Sequence, residues 1–194
     1  MKKKAVTDIP SVVQMEKELN RAKYNRQYWR ALRSTVYILV IVAAVAVLVA
    51  TLWLPVLQIY GTSMTPTLEE SDIVVSIKSQ NYEQGDIIAF YYNNKILVKR
   101  VIASSGQWVD IQKDGTVYVD DVEVDEPYVL DKAMGDCNIN LPYQVPESRI
   151  FVMGDHRRTS IDSRNSAVGC IAEEQIVGKI VFQIWPISKI GVLE

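Results

Sequence analysis

The 194-residue sequence predicts a mainly β fold: an antiparallel β domain behind a single N-terminal transmembrane helix. Three observations predict it. An uncharged apolar run, Val36 to Leu54, is long enough to cross a bilayer. Beyond it lie eight short stretches rich in β-branched and aromatic residues, several joined by dipeptides of turn composition. Finally, few stretches after residue 55 could form a long helix.

The elements follow in order. Residues 1–34 hold nine Lys/Arg against three Asp/Glu. Residues 11–34 are rich in helix formers, and Pro10 suits a first helical turn. This basic segment is expected to be helical and cytoplasmic. The apolar run would be roughly 28 Å long as a helix, about one hydrocarbon thickness, and gives an anchor at 35–55. A cleaved signal peptide and a buried core helix are the competing readings. Against cleavage, more than thirty polar-rich residues precede the run, which also exceeds the usual apolar core of about 7–15 residues. The flank Lys17, Arg21, Lys23, Arg26, Arg30 and Arg33 places the N-terminus in the cytoplasm. Tyr28, Trp29 and Trp53 suit the two interfaces, and Pro55 ends the span. The expected location is the cell membrane, single-pass, with residues 56–194 extracellular.

In that exterior domain, strands are expected at 72–77, 86–92, 95–103, 107–112, 116–119, 122–124, 149–154 and 176–184. Asn93-Asn94 and Asp114-Gly115 read as two-residue hairpin turns, and Asp120-Asp121 as a third. Residues 125–146 have weak periodicity and read as a loop-rich insertion.

Charge narrows the function. Residues 55–194 hold twelve Lys/Arg against twenty Asp/Glu, which argues against a nucleic-acid partner. Cys137 and Cys170 have no metal-ligand spacing, so neither a metal nor a cofactor is expected. Outside the cell they could form a disulfide or remain two free thiols.

Three segments could carry chemistry. Ser63 lies in "IYGTSMTPTLEESD", and the one histidine, His156, is more than ninety residues away. Lys99 lies in "KILVKRVIA", where alternation puts it on a face with Leu97 and Val101. A lysine desolvated there would lose part of its basicity and could deprotonate a serine. A lysine whose stem snorkels along the strand to water is the ordinary alternative. The third segment, "MGDHRRTSIDSRNS", crowds Asp155, Ser160, Asp162, Ser163 and Arg164 together, with Asp162 and Arg164 spaced for an ion pair.

Taken together, "SMTPTL" at 63–68, "VKRVI" at 98–102 and "GDHRRTSIDSR" at 154–164 resemble the signature boxes of bacterial type I signal peptidases. They stand in that family's order behind a membrane anchor, and the resemblance spans roughly residues 57–179. It implies a membrane-bound serine protease with a Ser/Lys dyad that removes signal peptides from exported preproteins. By that resemblance Ser63 is the nucleophile, Lys99 the general base, and Met64 a residue packed beneath the nucleophile. Ser160 would hydrogen-bond the lysine amine, Asp162 and Arg164 would form a supporting ion pair, and Gly154 and Asp155 begin that box. The Ser63 N–H would serve the oxyanion. Gly61 stands where some relatives carry a second, hydroxyl donor, so backbone or water would replace it.

The sequence also departs from the family. Ser71-Asp72 replaces the usual Gly-Asp, "VIASSGQ" replaces "VIGLPGD", and His156 stands where asparagine is common. The segment from Arg164 to Gly178 is one residue longer than the commonest form. A Ser63/His156/Asp155 triad is the rival mechanism, although adjacent Asp and His at a strand end would point apart. Rival classes are a non-catalytic assembly factor, which the presence of Lys99 disfavours, and a self-cleaving repressor, which lacks its DNA-binding domain here. Signal peptides end in a small-x-small pattern, so a shallow apolar cleft is expected, with Ile59, Met64, Leu97 and Val98 as candidates or else as core. Eight residues separate Leu54 from Ser63, which puts the serine within about 30 Å of the membrane exit. The expected partners are signal peptides and the lipid bilayer, and the expected state is a monomer.

Overall fold

The computed structural model describes residues 12–53, 55–79 and 81–193. The expectations for residues 1–11, including the Pro10 helix start, lie outside them. Helix α1 runs unbroken from Val12 to Trp53. Among the described residues it is the one helix long and apolar enough to cross a membrane. The chain divides into two units, the first ending at Val49 and the second beginning at Ala50.

The second unit is mainly antiparallel β. Its strands are β1 (Val56–Gln58), β2 (Ile73–Ile77), β3 (Ile87–Tyr92), β4 (Lys95–Ala103), β5 (Trp108–Ile111), β6 (Val117–Val119), β7 (Val122–Glu123), β8 (Tyr143–Gln144), β9 (Arg149–Met153), β10 (Ile171–Ala172), β11 (Ile176–Trp185) and β12 (Gly191–Val192). Among the described residues, one sheet runs β1-β2-β11-β3-β4-β9-β10, with β12 added to β11, and a smaller one runs β7-β6-β5-β8. Each of the eight expected stretches contains a strand. Four very short strands, β1, β8, β10 and β12, were not expected; two or three residues are too few to show alternation.

The turns follow their residue chemistry, with one correction. Asn93 and Asn94 take φ of 45° and 61°, and Asp120 and Asp121 take 49° and 65°. These are the left-handed pairs a two-residue hairpin needs. Asp114-Gly115 is not such a turn. Gln112 N bonds Thr116 O and Gly115 N bonds Gln112 O, so three residues form the loop. Gly115 takes φ 91°, and a Cβ there would meet the Ala133 backbone at 2.2 Å.

Strand β4 organises the domain. Its ladder with β3 is unbroken from Ile87↔Arg100 to Tyr92↔Lys95, while β9 covers its other edge from Arg100 onward. Burial therefore rises along the strand, from exposed Lys95 and Ile96 to fully buried residues from Lys99 on. Three apolar clusters surround it. One joins Ile102 and Phe151 to Val109, Val117 and Val145 of the smaller-sheet side. A second joins Ile59, Met64 and Leu68 to Val74, Ile87 and Ile180. The third joins Val101 to Ile88, Phe90 and Val152.

Candidate active site

Between β1 and β2 the chain makes a loop closed at its base. Ile59 N donates to Asp72 O (2.8 Å) and Ser71 N to Ile59 O (2.9 Å). Ser71 takes φ 73° there, a conformation that costs a side-chain-bearing residue about 1–2 kcal/mol. Met64 and Leu68 sink into the second cluster, and Leu68 N donates to Met64 O at 2.9 Å. Ser63 is thus held half-buried beside an anchored residue.

Lys99 reaches this serine. Its relative exposure is 3%, which corrects the snorkelling alternative: β3 and β9 flank the strand and packed clusters cover it. Lys99 Nζ lies 2.6 Å from Ser63 Oγ, a hydrogen bond. Burial pushes the amine down to about 8; the Asp162 carboxylate partly opposes this, Arg164 adds to it, and Asp155 opposes it. An amine in this state can lose its charge near neutral pH and accept a hydroxyl proton.

The segment after β9 wraps behind both groups. Asp162 and Arg164 are fully buried. The Asp162 carboxylate accepts from Arg164 Nε and Nη2, each at 2.8 Å, and from Gly154 N at 3.0 Å. Burial would raise the Asp162 pKa, but the bonds and charge of Arg164 outweigh it and hold the carboxyl below its usual range. Gly154 is required by contact, since a Cβ there would stand 2.5 Å from Ser63 O and 2.3 Å from Ser160 Oγ.

One expectation needs correcting here, and a second, that Asp155 and His156 point apart, is met. Ser160 is buried, but no hydrogen bond joins its Oγ to Lys99 Nζ; it sits instead beside the Asp162 carboxylate and helps to hold that carboxyl down. The hydroxyl occupies the space a Cβ at position 154 would fill. The Asp155/His156 pair also points apart. Asp155 turns to Arg100, whereas His156 Nδ1 lies 3.2 Å from Thr65 Oγ1, and His156 N donates to Ser63 O at 3.1 Å. The histidine steadies the serine loop and forms no triad.

Sequence reasoning missed a buried ionic shell. Arg100 Nε and Nη2 bond the Asp155 carboxylate at 3.0 and 2.9 Å, Thr67 Oγ1 donates to the same carboxylate, and Tyr128 stacks 3.9 Å from the guanidinium. Arg157 pairs with buried Glu126. Arg164 Nη1 reaches Met134 O (2.9 Å), and Asn165 Nδ2 reaches Asp136 Oδ2 (2.7 Å). The stretch from Glu126 to Asn138 is therefore a strap latched onto the 155–166 segment. The available signal was Arg100, a second cation set among apolar residues of the same strand. Cys137 and Cys170 are both free, and burial raises the Cys170 thiol to about 11.

A groove of about 860 Å³ opens in front of the pair. Ile59, Gly61, Met64, Leu97 and Val98 line it together with Ser63 and Lys99. Ile59 and Met64 belong to the core as well, whereas Leu97 and Val98 are only half-buried. Gly61, at φ 82°, has open space around its α-carbon.

Comparison with known proteins adds to this geometry. A thylakoidal processing peptidase 1 of Arabidopsis thaliana is 35% identical over 151 residues, covering 69% of this chain and 43% of that protein, so the chain spans less than half of that relative's length. Signal peptidase IB of Staphylococcus aureus (strain COL) is 38% identical over 151 residues, covering 68% of this chain and 78% of that protein. A signal peptidase I of Enterococcus faecalis V583, known from a crystal structure, is 28% identical with a TM-score of 0.43, covering 52% of this chain and 97% of that one. Residues 32–185 match the family described as signal peptidase, peptidase S26. With four-fifths of its length inside that match, and with a curated relative 38% identical over more than two thirds of both chains, the chain belongs to the signal peptidase family, peptidase S26.

Proposed function

We propose that the chain is a membrane-bound serine endopeptidase that removes N-terminal signal peptides from exported preproteins, with Ser63 as nucleophile and Lys99 as general base. The observation that carries this is the 2.6 Å contact between Lys99 Nζ and Ser63 Oγ, made by a lysine with 3% exposure. The neutral amine takes the Ser63 proton as Oγ attacks the scissile carbonyl. It then passes that proton to the leaving amine, and water repeats the cycle on the acyl-enzyme. The Ser63 N–H has no acceptor among the described residues and is free to serve the oxyanion. Asp162 and Arg164 support the lysine from behind, while Gly61 and Met64 shape the loop. The substrate lies extended in the groove over Ile59, Leu97 and Val98, where small side chains fit best.

Helix α1 is the anchor, with its basic N-terminal part in the cytoplasm and residues 56–194 outside. The enzyme works as a monomer, and substrates reach it while their own apolar segment is in the bilayer. The test is to incubate the detergent-solubilised full chain with a small-x-small preprotein, wild type beside Ser63→Ala. Cleavage at one bond, lost in the variant, is the expected result. Cleavage that persists in Ser63→Ala would point to another nucleophile.

A further inference from the structure

The groove extends well past the reacting pair. Its lining runs from Lys99 back along β4 to Asn94 on one side and to Val56 on the other. Its described lining includes no carboxylate, and its charged residues are Lys95 and Lys99. Lys99 is spent on Ser63. Lys95 is exposed and has no hydrogen-bond or ion-pair partner among the described residues.

Backbone geometry fixes where this second lysine sits. The β3–β4 ladder keeps register without a bulge from Arg100 to Lys95, so alternation holds. Lys95, Leu97 and Lys99 then share one strand face. Four residues of strand place Lys95 roughly 13 Å from Lys99. The left-handed Asn93-Asn94 turn leads directly into Lys95, and this turn limits how far its α-carbon can wander.

We propose that Lys95 is a specificity-determining residue that favours substrates with a carboxylate side chain upstream of the cleaved bond. This rests on the reading of the groove as the seat of the signal segment. An extended peptide advances about 3.3 Å per residue, so a span of roughly 13 Å from the reacting carbonyl reaches about the fifth residue upstream. The lysine stem adds about one residue of play in either direction. A carboxylate there meets an unpaired cation in a groove with no competing acid, and a lysine there meets repulsion. Near a water-exposed mouth the effect is modest and sensitive to salt.

The experiment uses the full chain in neutral-detergent micelles and peptides that differ only at the fifth upstream residue: Asp, Asn or Lys. For wild type, kcat/KM for the Asp peptide should exceed that for the Lys peptide by about fivefold at low ionic strength. The difference should lie in KM and shrink toward unity in 1 M NaCl. Lys95→Glu should invert the order, and Lys95→Gln should level it. Moving the Asp along the peptide should give its largest effect between the fourth and sixth positions. A wild-type ratio of one, or the same ratio in Lys95→Glu, overturns the proposal. Equal loss for all peptides in Lys95→Glu, with weakened binding to anionic vesicles, overturns it in favour of a lipid-facing lysine. Absence of any Ser63-dependent cleavage overturns the proposed function, and this inference with it.

Discussion

Gly154 passes so close to Ser63 that a Cβ at position 154 would stand 2.5 Å from the Ser63 carbonyl oxygen. The segment after β9 thus sets the height of the serine loop by backbone contact. The neighbouring His156 N–H fixes the same carbonyl at 3.1 Å.

Gly154→Ala should therefore lower peptide cleavage by at least tenfold while the far-ultraviolet circular dichroism stays unchanged. The added methyl forces the loop and Ser160 away, and a shift of about 1 Å can cost two orders of magnitude in rate. Wild-type turnover in this variant would show that the contact does not govern the site.

If the proposed base is the neutral form of Lys99, activity should rise with pH and level off above about 8, the value to which burial lowers its pKa. A kcat/KM profile from pH 6 to 10 reads this directly. A limb that falls through pH 8 would contradict the assignment of the base.

Lys99→Met should abolish cleavage and raise stability below pH 8. The folded-state pKa of about 8 lies under the ordinary 10.5. Between those values the unfolded chain binds more protons, so wild-type stability climbs with pH across that window. The full cost of the buried amine, on the order of 3 kcal/mol, is present below it. Thermal melts at pH 6 and 10 should show Met ahead at the first and the gap narrowed at the second.

Lys99→Ala should eliminate cleavage, and His156→Asn should keep it within several-fold of wild type. An asparagine amide can reach Thr65 much as Nδ1 does, and the backbone bond to Ser63 is untouched. Steady-state kinetics on one preprotein compares the two, and the opposite order would reinstate a histidine mechanism.

Asp162→Ala should destabilise the fold by about 3–5 kcal/mol, since it strips a fully buried guanidinium of both its carboxylate bonds. Urea unfolding would register this as a drop in the transition midpoint. A change under 1 kcal/mol would mean that the Ala133, Met134 and Arg157 carbonyls suffice to satisfy Arg164.

The strand pattern was legible because β2, β3, β4 and β11 are long enough to display their composition. Strands of two or three residues carry no period: β6 and β7 were legible through the Asp120-Asp121 turn between them, whereas β1, β8, β10 and β12 have no such turn dipeptide beside them and escaped. The juxtaposition of Ser63 and Lys99 was legible only through three boxes read together. Alternation in "KILVKRVIA" says which residues share a face but is silent on what packs over that face. Here the loop that carries Ser63 meets Lys99, while β9 closes the strand's edge from Arg100 onward. The partners of Arg100 and Arg157 lie 55 and 31 positions away, and nothing local announces a carboxylate at that distance. Ser160 shows the opposite failure: a role carried over by resemblance is not matched by a bond in this geometry.

The latch between Glu126–Asn138 and the segment behind the serine has a practical side. A loop with so many obligations has no slack, and deleting one residue from it would strand guanidinium groups in a dry interior. Fusion partners, epitopes and fluorophores belong instead at Asp121, on an exposed hairpin tip whose neighbour Asp120 bonds Gln107 and Trp108 and not the segments that carry Ser63 and Lys99.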